Sequence, residues 1–123
     1  MLKQPVPLRV VIKRPGEPAQ NASVLSTLEA AQAVVEGFID VVRVADGVDL
    51  VVNDEGLLQR LAHNFIVVGD CGPIPIVGPA FFVAVDDAGD FRSLSDDQVA
   101  VIASRWLFDD VFIAPHIDID LEG

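Results

Sequence analysis

Basic side chains and cysteine are scarce in this 123-residue chain, and tyrosine is absent. The 8 Lys and Arg residues stand against 19 Asp and Glu, so the formal net charge is -11 with neutral histidines. Because phosphate binding needs a basic surface, direct nucleic-acid binding is disfavoured. The single cysteine, Cys71, excludes an internal disulfide framework and a multi-cysteine zinc site.

Long apolar runs are also missing. A membrane helix needs roughly 18 consecutive apolar residues, and no segment reaches that length. Pro5 and Pro7 stand where a signal peptide would have its apolar core. Hydrophobic residues nevertheless make up 51% of the chain, which is the reverse of a disordered composition. We therefore expect one soluble, cytoplasmic domain over residues 1–123, with no membrane partner.

Charge is unevenly distributed along the chain. Residues 1–14 contain four basic side chains and no acid, whereas residues 86–123 contain ten acids against Arg92 and Arg105. The simplest interpretation is a solubilising acidic surface. Alternatively, the two ends pair within one chain or between subunits, or an acidic face docks on the basic, DNA-binding groove of a partner.

Apolar segments rich in β-branched residues predict strands. They cover residues 8–13, 38–45, 48–52 and 80–85, with a shorter candidate at 65–68. Asp46-Gly47 lies between two of these segments and is the strongest kind of short hairpin signal. Residues 86–89 predict a second hairpin turn, which leads into 90–93.

Segments rich in Gly and Pro separate these strands and predict loops. One covers residues 14–21, and another covers 69–79 with a buried middle at Ile74, Ile76 and Val77. Residues 53–56 predict a turn. The pattern over 57–62 fits a helical turn or a short strand, and it does not decide between them.

Two helices are predicted from their capping sequences. Ser26 and Glu29 form a capping box, apolar residues follow at helical spacing, and Gly37 is expected to end the first helix. Ser95 and Gln98 open the second. Its apolar stripe continues as Val99, Ile102, Ala103, Trp106 and Leu107.

The C-terminal segment 108–123 contains the apolar run 111–113 and then an alternation of apolar and polar residues over 116–121. A tail of this kind is expected to pair with a sheet edge, its own or a neighbour's. Because hairpins dominate the order of elements, we predict an α+β fold. Its antiparallel sheet is built from hairpins, and two amphipathic helices pack on it.

Several blocks resemble a family of small proteins of phages, prophages and mobile elements, long carried as a domain of unknown function. They are STLEAAQAVVEGFIDVVRV (26–44), VVNDEGLL (51–58), Asn64 and IVGPAFFVAVDDAGDFRSLSDDQV (76–99). We therefore divide the chain into a family-like core, 1–107, and an apolar, acidic C-terminal extension, 108–123.

The resemblance implies a context rather than a reaction. It implies a small accessory protein used in conflict between phage and host. Such proteins include inhibitors that mimic DNA or block host complexes, and oligomeric sponges that sequester nucleotide-derived immune signals.

The chain offers no catalytic constellation. Cys71 has His63 near in sequence, but a free cysteine in such a loop is typically a small buried hydrophobe. His63 and His116 have no metal-ligand spacing with a carboxylate. The paired Asp residues mostly fit turns and a helix start. We therefore expect no enzyme activity, no metal and no cofactor.

A nucleotide ligand would require cations for phosphate, a ring for the base and amides for the polar edges. Arginines after residue 14 are few, and two asparagines follow apolar segments. The alternative, purely structural role of these arginines is a salt bridge, and that of Asn53 is an Asx-turn. The candidate ligand-binding residues are Arg43, Asn53, Arg60, Asn64, Phe81, Arg92 and Arg105.

Two functional hypotheses follow. In the first, the protein is a homo-oligomeric counter-defence protein that binds and sequesters a nucleotide-derived immune signal. In the second, it is an acidic inhibitor of the DNA-mimic or anti-CRISPR type, which docks on the basic nucleic-acid-binding surface of a host defence protein. Arginines converging in a pocket would favour the first, and carboxylates spaced along one face would favour the second.

Overall fold

Strands dominate the structure, a computed structural model that describes residues 4–70 and 72–114. In chain order, its elements are β1 (Pro7–Lys13), β2 (Gln20–Leu25), α1 (Leu28–Val35), β3 (Ile39–Ala45), β4 (Val48–Asn53), β5 (His63–Gly69), β6 (Gly72–Val77), β7 (Ala80–Val85), β8 (Phe91–Arg92), α2 (Asp96–Ser104), β9 (Trp106–Phe108) and β10 (Val111–Ile113).

The strands form two sheets. The first has the order β2-β1-β7-β4-β3, with β8 against β7, and its pairings are antiparallel. The second has the order β6-β5-β10-β9, in which β10 runs parallel to β5. The predicted α+β class is confirmed, while the division into two sheets is a feature that the sequence patterns did not indicate.

Alternation along β1 supplies both apolar cores. Val10 and Ile12 belong to a cluster with residues of α1, including Val35. Val11 belongs to the other cluster, which joins the first sheet to the second and to α2. Successive side chains of a strand point to opposite faces, so β1 is buried on both sides. This places the last residue of the strand, Lys13, on the same face as Val11.

Four aromatic rings fill the space between the sheets. Phe82 is fully buried, and its ring centroid lies 5.0 Å from that of Phe112 and 6.2 Å from those of Phe65 and Trp106. Trp106 packs edge-on against Phe65 at 4.9 Å. Such contacts add to the stabilisation from burying the rings.

The predicted hairpin at Asp46-Gly47 is confirmed. It joins β3 to β4, and Gly47 has φ +69°, a left-handed conformation that glycine adopts without steric cost. The second hairpin is confirmed as well, between β7 and β8. Its turn is held by the Asp86 carboxylate, which accepts from the amides of Ala88 and Asp90.

The first helix forms, but both of its predicted ends are wrong by one residue. Thr27 is the N-cap and accepts from the amide of Ala30, whereas the Ser26 hydroxyl accepts from the amide of Val6 on the neighbouring segment. At the other end Glu36, with φ +66°, takes the left-handed position expected for Gly37. Tertiary hydrogen bonding thus takes Ser26 away from the cap.

The second helix begins as predicted, since both halves of the Ser95–Gln98 capping box are present. The predicted stripe is wrong beyond Ala103. The helix ends at Ser104, and Trp106 and Leu107 lie in β9, paired with β10. The aromatic cluster between the sheets receives Trp106 from this strand, so packing overrides the helical periodicity.

The two predicted loops each contain part of a strand. Residues 20–25 form β2 along β1. Residues 72–77 form β6, in which Ile76 is buried but Ile74 is 37% exposed. Proline is tolerated there because β6 is an edge strand, which needs amide donors only along the side that faces β5. Cys71 lies outside the described residues.

The C-terminal segment pairs within its own chain over residues 111–113. These residues form β10, and Phe112 is 1% exposed in the core between the sheets. The part of the extension that the structure describes is therefore integral to the second sheet. The alternating residues 116–121, with His116, lie outside the described residues.

Candidate functional site

A buried cation, Lys13, is the most unusual side chain of the described residues. It ends β1 on the face shared with Val11, and it is only 3% exposed. Its Nζ donates to the carbonyl oxygen of Arg14 and to Oδ1 of Asn64, both at 3.0 Å. No ion pair joins it to a carboxylate of the described residues. Buried charges in proteins are usually paired, so this ammonium stands out.

Asn64, at the start of β5, holds the lysine in place. Its Nδ2 donates to the carbonyl oxygens of Lys13, at 2.7 Å, and Gly78, at 2.8 Å. The orientation of the amide is unambiguous, because the ammonium can only donate and the carbonyls can only accept. Asn64 is 4% exposed and links the end of β1 in the first sheet to β5 in the second.

The lysine lines a cavity of about 410 Å³ between the β1–β2 hairpin, α2 and β9. This volume lies within the usual range of small-molecule sites. Its polar lining includes Gln20 and Asn21 from β2, and Asp109 follows β9. Ile102 and Trp106 are among its apolar walls. The cavity therefore combines a buried cation, two amides and a flat aromatic wall.

The Trp106 wall contains a polar atom without a partner. Its indole Nε1 is buried and has no hydrogen-bond acceptor among the described residues, and the same is true of Nε of Arg105. Buried polar groups without a partner are rare in folded proteins. An acceptor that reached this indole Nε1 would satisfy a donor that the described residues leave without a partner.

Carboxylates surround the lysine at longer range. Burial lowers the pKa of Lys13 below its usual value of 10.5, while Asp109, Asp110 and Glu17 oppose this shift electrostatically. All three carboxylates are on exposed residues. The lining of the cavity thus includes one positive residue, Lys13, and one exposed carboxylate, Asp109.

The lowered pKa of Lys13 predicts a pH dependence of stability. Between the folded-state pKa and 10.5 the unfolded chain binds a proton that the folded chain has released, so the free energy of unfolding rises with pH. Below that window both states are protonated, and the full cost of burying the charge remains. We expect wild type to gain stability relative to Lys13→Met as the pH is raised from neutral toward 10.5.

Urea unfolding of both proteins at several alkaline pH values measures this difference. Contributions from other titrating groups are present in both proteins and cancel in the comparison. A difference that stays constant with pH would contradict the buried, protonated lysine.

The four predicted arginines do not converge. Arg43 donates through Nε to Asp49, and Arg92 donates through Nε to Asp86, so both make the salt bridges considered as their plainer role. Arg60 is exposed in a turn, with φ +56°. Arg105 caps the end of α2 and lies next to the Trp106 wall. None of the four lines the cavity at Lys13.

The other three candidates lie in buried positions. Asn53 forms the expected Asx-turn by accepting from the amide of Glu55, and it donates to the carbonyl oxygen of Val35. Phe81 is 1% exposed in the core beside α1. Asn64 contacts the cavity lining through its hydrogen bonds with Lys13, and Arg105 contacts it through its amide, which donates to the carbonyl oxygen of Ile102.

A second cavity, of about 670 Å³, lies on the α1 side of the first sheet. Its lining includes Leu28, Ile39, Phe91 and Arg92. The cation there is exposed and is already neutralised by Asp86, which holds the β7–β8 turn. The same contacts, first the amide of Asp90 and then Arg92, hold the pKa of Asp86 below its usual value. We therefore take the Lys13 cavity as the candidate site.

Lys13 was not predicted as a site residue, although its position in the strand pattern indicated burial. In LRVVIK, at 8–13, the lysine stands two residues after Val11 and so shares a face with an apolar side chain. Gln20 and Asn21 gave no comparable signal, because they lie in a segment predicted to be a loop.

Part of the charge asymmetry is resolved within one chain. Arg9, from the basic N-terminal segment, forms an ion pair with Asp96 at 2.5 Å. Asp109 and Asp110 also interact electrostatically with Lys13. Three acidic residues of the described C-terminal part, Asp96, Asp109 and Asp110, therefore act on basic residues of β1 in the same molecule.

Residues 4–70 and 72–114 contain no group of three or more His, Cys, Asp or Glu that could hold a metal ion. Within those residues, neither helix combines the length and the apolar character needed to cross a bilayer.

The fold and the cavity define a small two-sheet α+β protein with a cation-lined pocket. Its sequence matches the family model described as "Domain of unknown function (DUF3846)" over residues 8–107. The chain belongs to that family. No curated protein and no solved structure matches it. The family model ends within β9, so Asp109 and the whole of β10 lie beyond it.

Proposed function

We propose that this protein binds a small anionic molecule with a planar ring, of the nucleotide-derived kind used as immune signals, and sequesters it without chemical change. The observation that carries the proposal is Lys13, a buried ammonium that lines a ligand-sized cavity and has no carboxylate partner among the described residues. An anionic group placed beside it would supply the missing counter-charge.

The rest of the lining supports a ligand of this class. Trp106 and Ile102 offer apolar surface for a ring, and the amides of Gln20 and Asn21 can recognise polar edges. A binding rather than a catalytic role agrees with the absence of a nucleophile–base pair in the sequence. The setting in phage or mobile-element counter-defence, within the bacterial cytoplasm, rests on the family resemblance alone.

Isothermal titration calorimetry against cyclic mononucleotides, cyclic dinucleotides and ADP-ribose-type nucleotides tests the proposal. We expect at least one of them to bind, and we expect Lys13→Met to weaken that binding by about tenfold to a hundredfold, the usual range for a lost charge-assisted hydrogen bond. Arg14→Met is the matched control, because Arg14 is exposed and does not line the cavity.

A second variant keeps the test decisive if Lys13→Met folds poorly. Ala103 is exposed on α2 and lines the cavity, so Ala103→Phe should block the ligand while leaving the core intact. Ala100→Phe places the same ring on the same helix outside the cavity and should bind normally. No binding to any nucleotide would refute the proposal. Loss of binding in Arg92→Ala, with Lys13→Met unaffected, would refute this location and favour the second cavity.

Self-association remains a prediction from the sequence. The argument that the apolar tail needs a second subunit is weaker, since residues 111–113 pair with β5 of the same chain. Three apolar side chains are nevertheless largely exposed near the start of β3, namely Phe38, Leu57 and Leu58. Native mass spectrometry with and without ligand measures the oligomeric state directly.

A further inference from the structure

Two charged residues of opposite sign, Lys13 and Asp109, are among the described residues that line the cavity. One cation lies in its wall, 3% exposed, and Asp109 lines the same cavity on an exposed residue. Asp110 and Glu17 also act on Lys13 electrostatically, although no carboxylate forms an ion pair with it among the described residues. Among the described lining residues, the single positive charge of Lys13 is therefore matched by one carboxylate, Asp109, and two further carboxylates act on it from outside the lining.

We propose that this cavity selects singly charged ligands and rejects multiply charged ones, with the anionic group at Lys13 and a hydrogen-bond-donating edge toward Asp109. This inference rests on the proposed function and specifies the ligand class. A second anionic group would find no other cation among the described lining residues, and it would be repelled by Asp109.

The preferred chemical class follows from this arrangement. A cyclic mononucleotide has one phosphodiester charge, and its base carries an amino group if it is adenine, guanine or cytosine. ADP-ribose and cyclic dinucleotides carry two charges. A 5′-mononucleotide is close to doubly charged above the second phosphate pKa of about 6. Only the first of these matches one wall cation and one facing carboxylate.

Cyclic AMP and AMP form the sharpest pair of probes, because they share base and sugar and differ mainly in one charge. We expect cyclic AMP to bind roughly tenfold more tightly than AMP at neutral to slightly alkaline pH and low ionic strength. Asp109→Asn should narrow that ratio to about twofold by improving the binding of AMP. Because Asp109 is exposed, high salt should narrow the ratio as well.

Asp87→Asn is the matched control. It removes one exposed carboxylate from the β7–β8 turn, outside the cavity lining, and should leave the ratio unchanged. If AMP binds as tightly as cyclic AMP, or if Asp109→Asn leaves the ratio unchanged, the charge selection is wrong while the proposed function stands. If neither these probes nor any other nucleotide binds, both the proposed function and the selection are wrong.

Discussion

Phe82→Ala is expected to destabilise the fold by about 3–5 kcal/mol, the usual cost of deleting a buried aromatic ring. Phe82 is fully buried in the central strand β7, and its ring meets rings from both sheets. Its removal leaves a cavity that rigid strands on either side cannot close. Since small domains are stable by only about 5–15 kcal/mol, the loss is a large share of the total.

Urea unfolding followed by tryptophan fluorescence measures this loss, because Trp106 packs within the same cluster. The matched control is Phe38→Ala, which removes the same ring from a position that is 67% exposed. We expect it to change stability by about 0.5 kcal/mol or less. Equal effects of the two substitutions would show that the aromatic cluster does not hold the sheets together.

Asn64→Ala is expected to cost about 3–4 kcal/mol. It removes the partner of three buried groups, namely the carbonyl oxygens of Lys13 and Gly78 and the ammonium of Lys13. A buried polar group that loses its partner costs about 1–3 kcal/mol, and these losses add only in part because the groups share one site. The variant should also bind ligand weakly, since Lys13 loses the contact that positions it.

Asn21→Ala is the control for this substitution, because Asn21 is exposed and also lines the cavity. It should leave the unfolding free energy within about 0.5 kcal/mol of wild type. A stable Asn64→Ala protein would mean that water replaces the amide, and the bridge between β1 and β5 would then be dispensable.

Local signals predicted those parts of the fold that local chemistry controls. The Asp46-Gly47 hairpin and the Ser95–Gln98 capping box depend on neighbours within a few residues, and both are confirmed. Predictions failed where distant partners decide the outcome. Trp106 follows the helical spacing of α2, but three phenylalanine rings from β5, β7 and β10 hold it in a strand.

The candidate site shows the same limit. Asn64 was predicted as a ligand-binding residue from its position after an apolar segment, and the structure places it against Lys13. Lys13 itself was not predicted as a site residue, because a basic residue at the end of a strand is usually solvated. Its ammonium is held by Asn64 of β5, which is itself hydrogen-bonded to Gly78 between β6 and β7, and these contacts form only in the folded protein.

The parallel pairing of β10 with β5 affects the order in which the protein can assemble during synthesis. The β5–β6 hairpin can form early from local contacts, but the other edge of β5 stays open until Val111–Ile113 has left the ribosome. Trp106 and Asp109 are made just before that strand, so the pocket around Lys13 is completed last. A nascent chain interrupted before residue 106 would expose an apolar edge of β5, and its cavity at Lys13 would lack the side chains of Trp106 and Asp109.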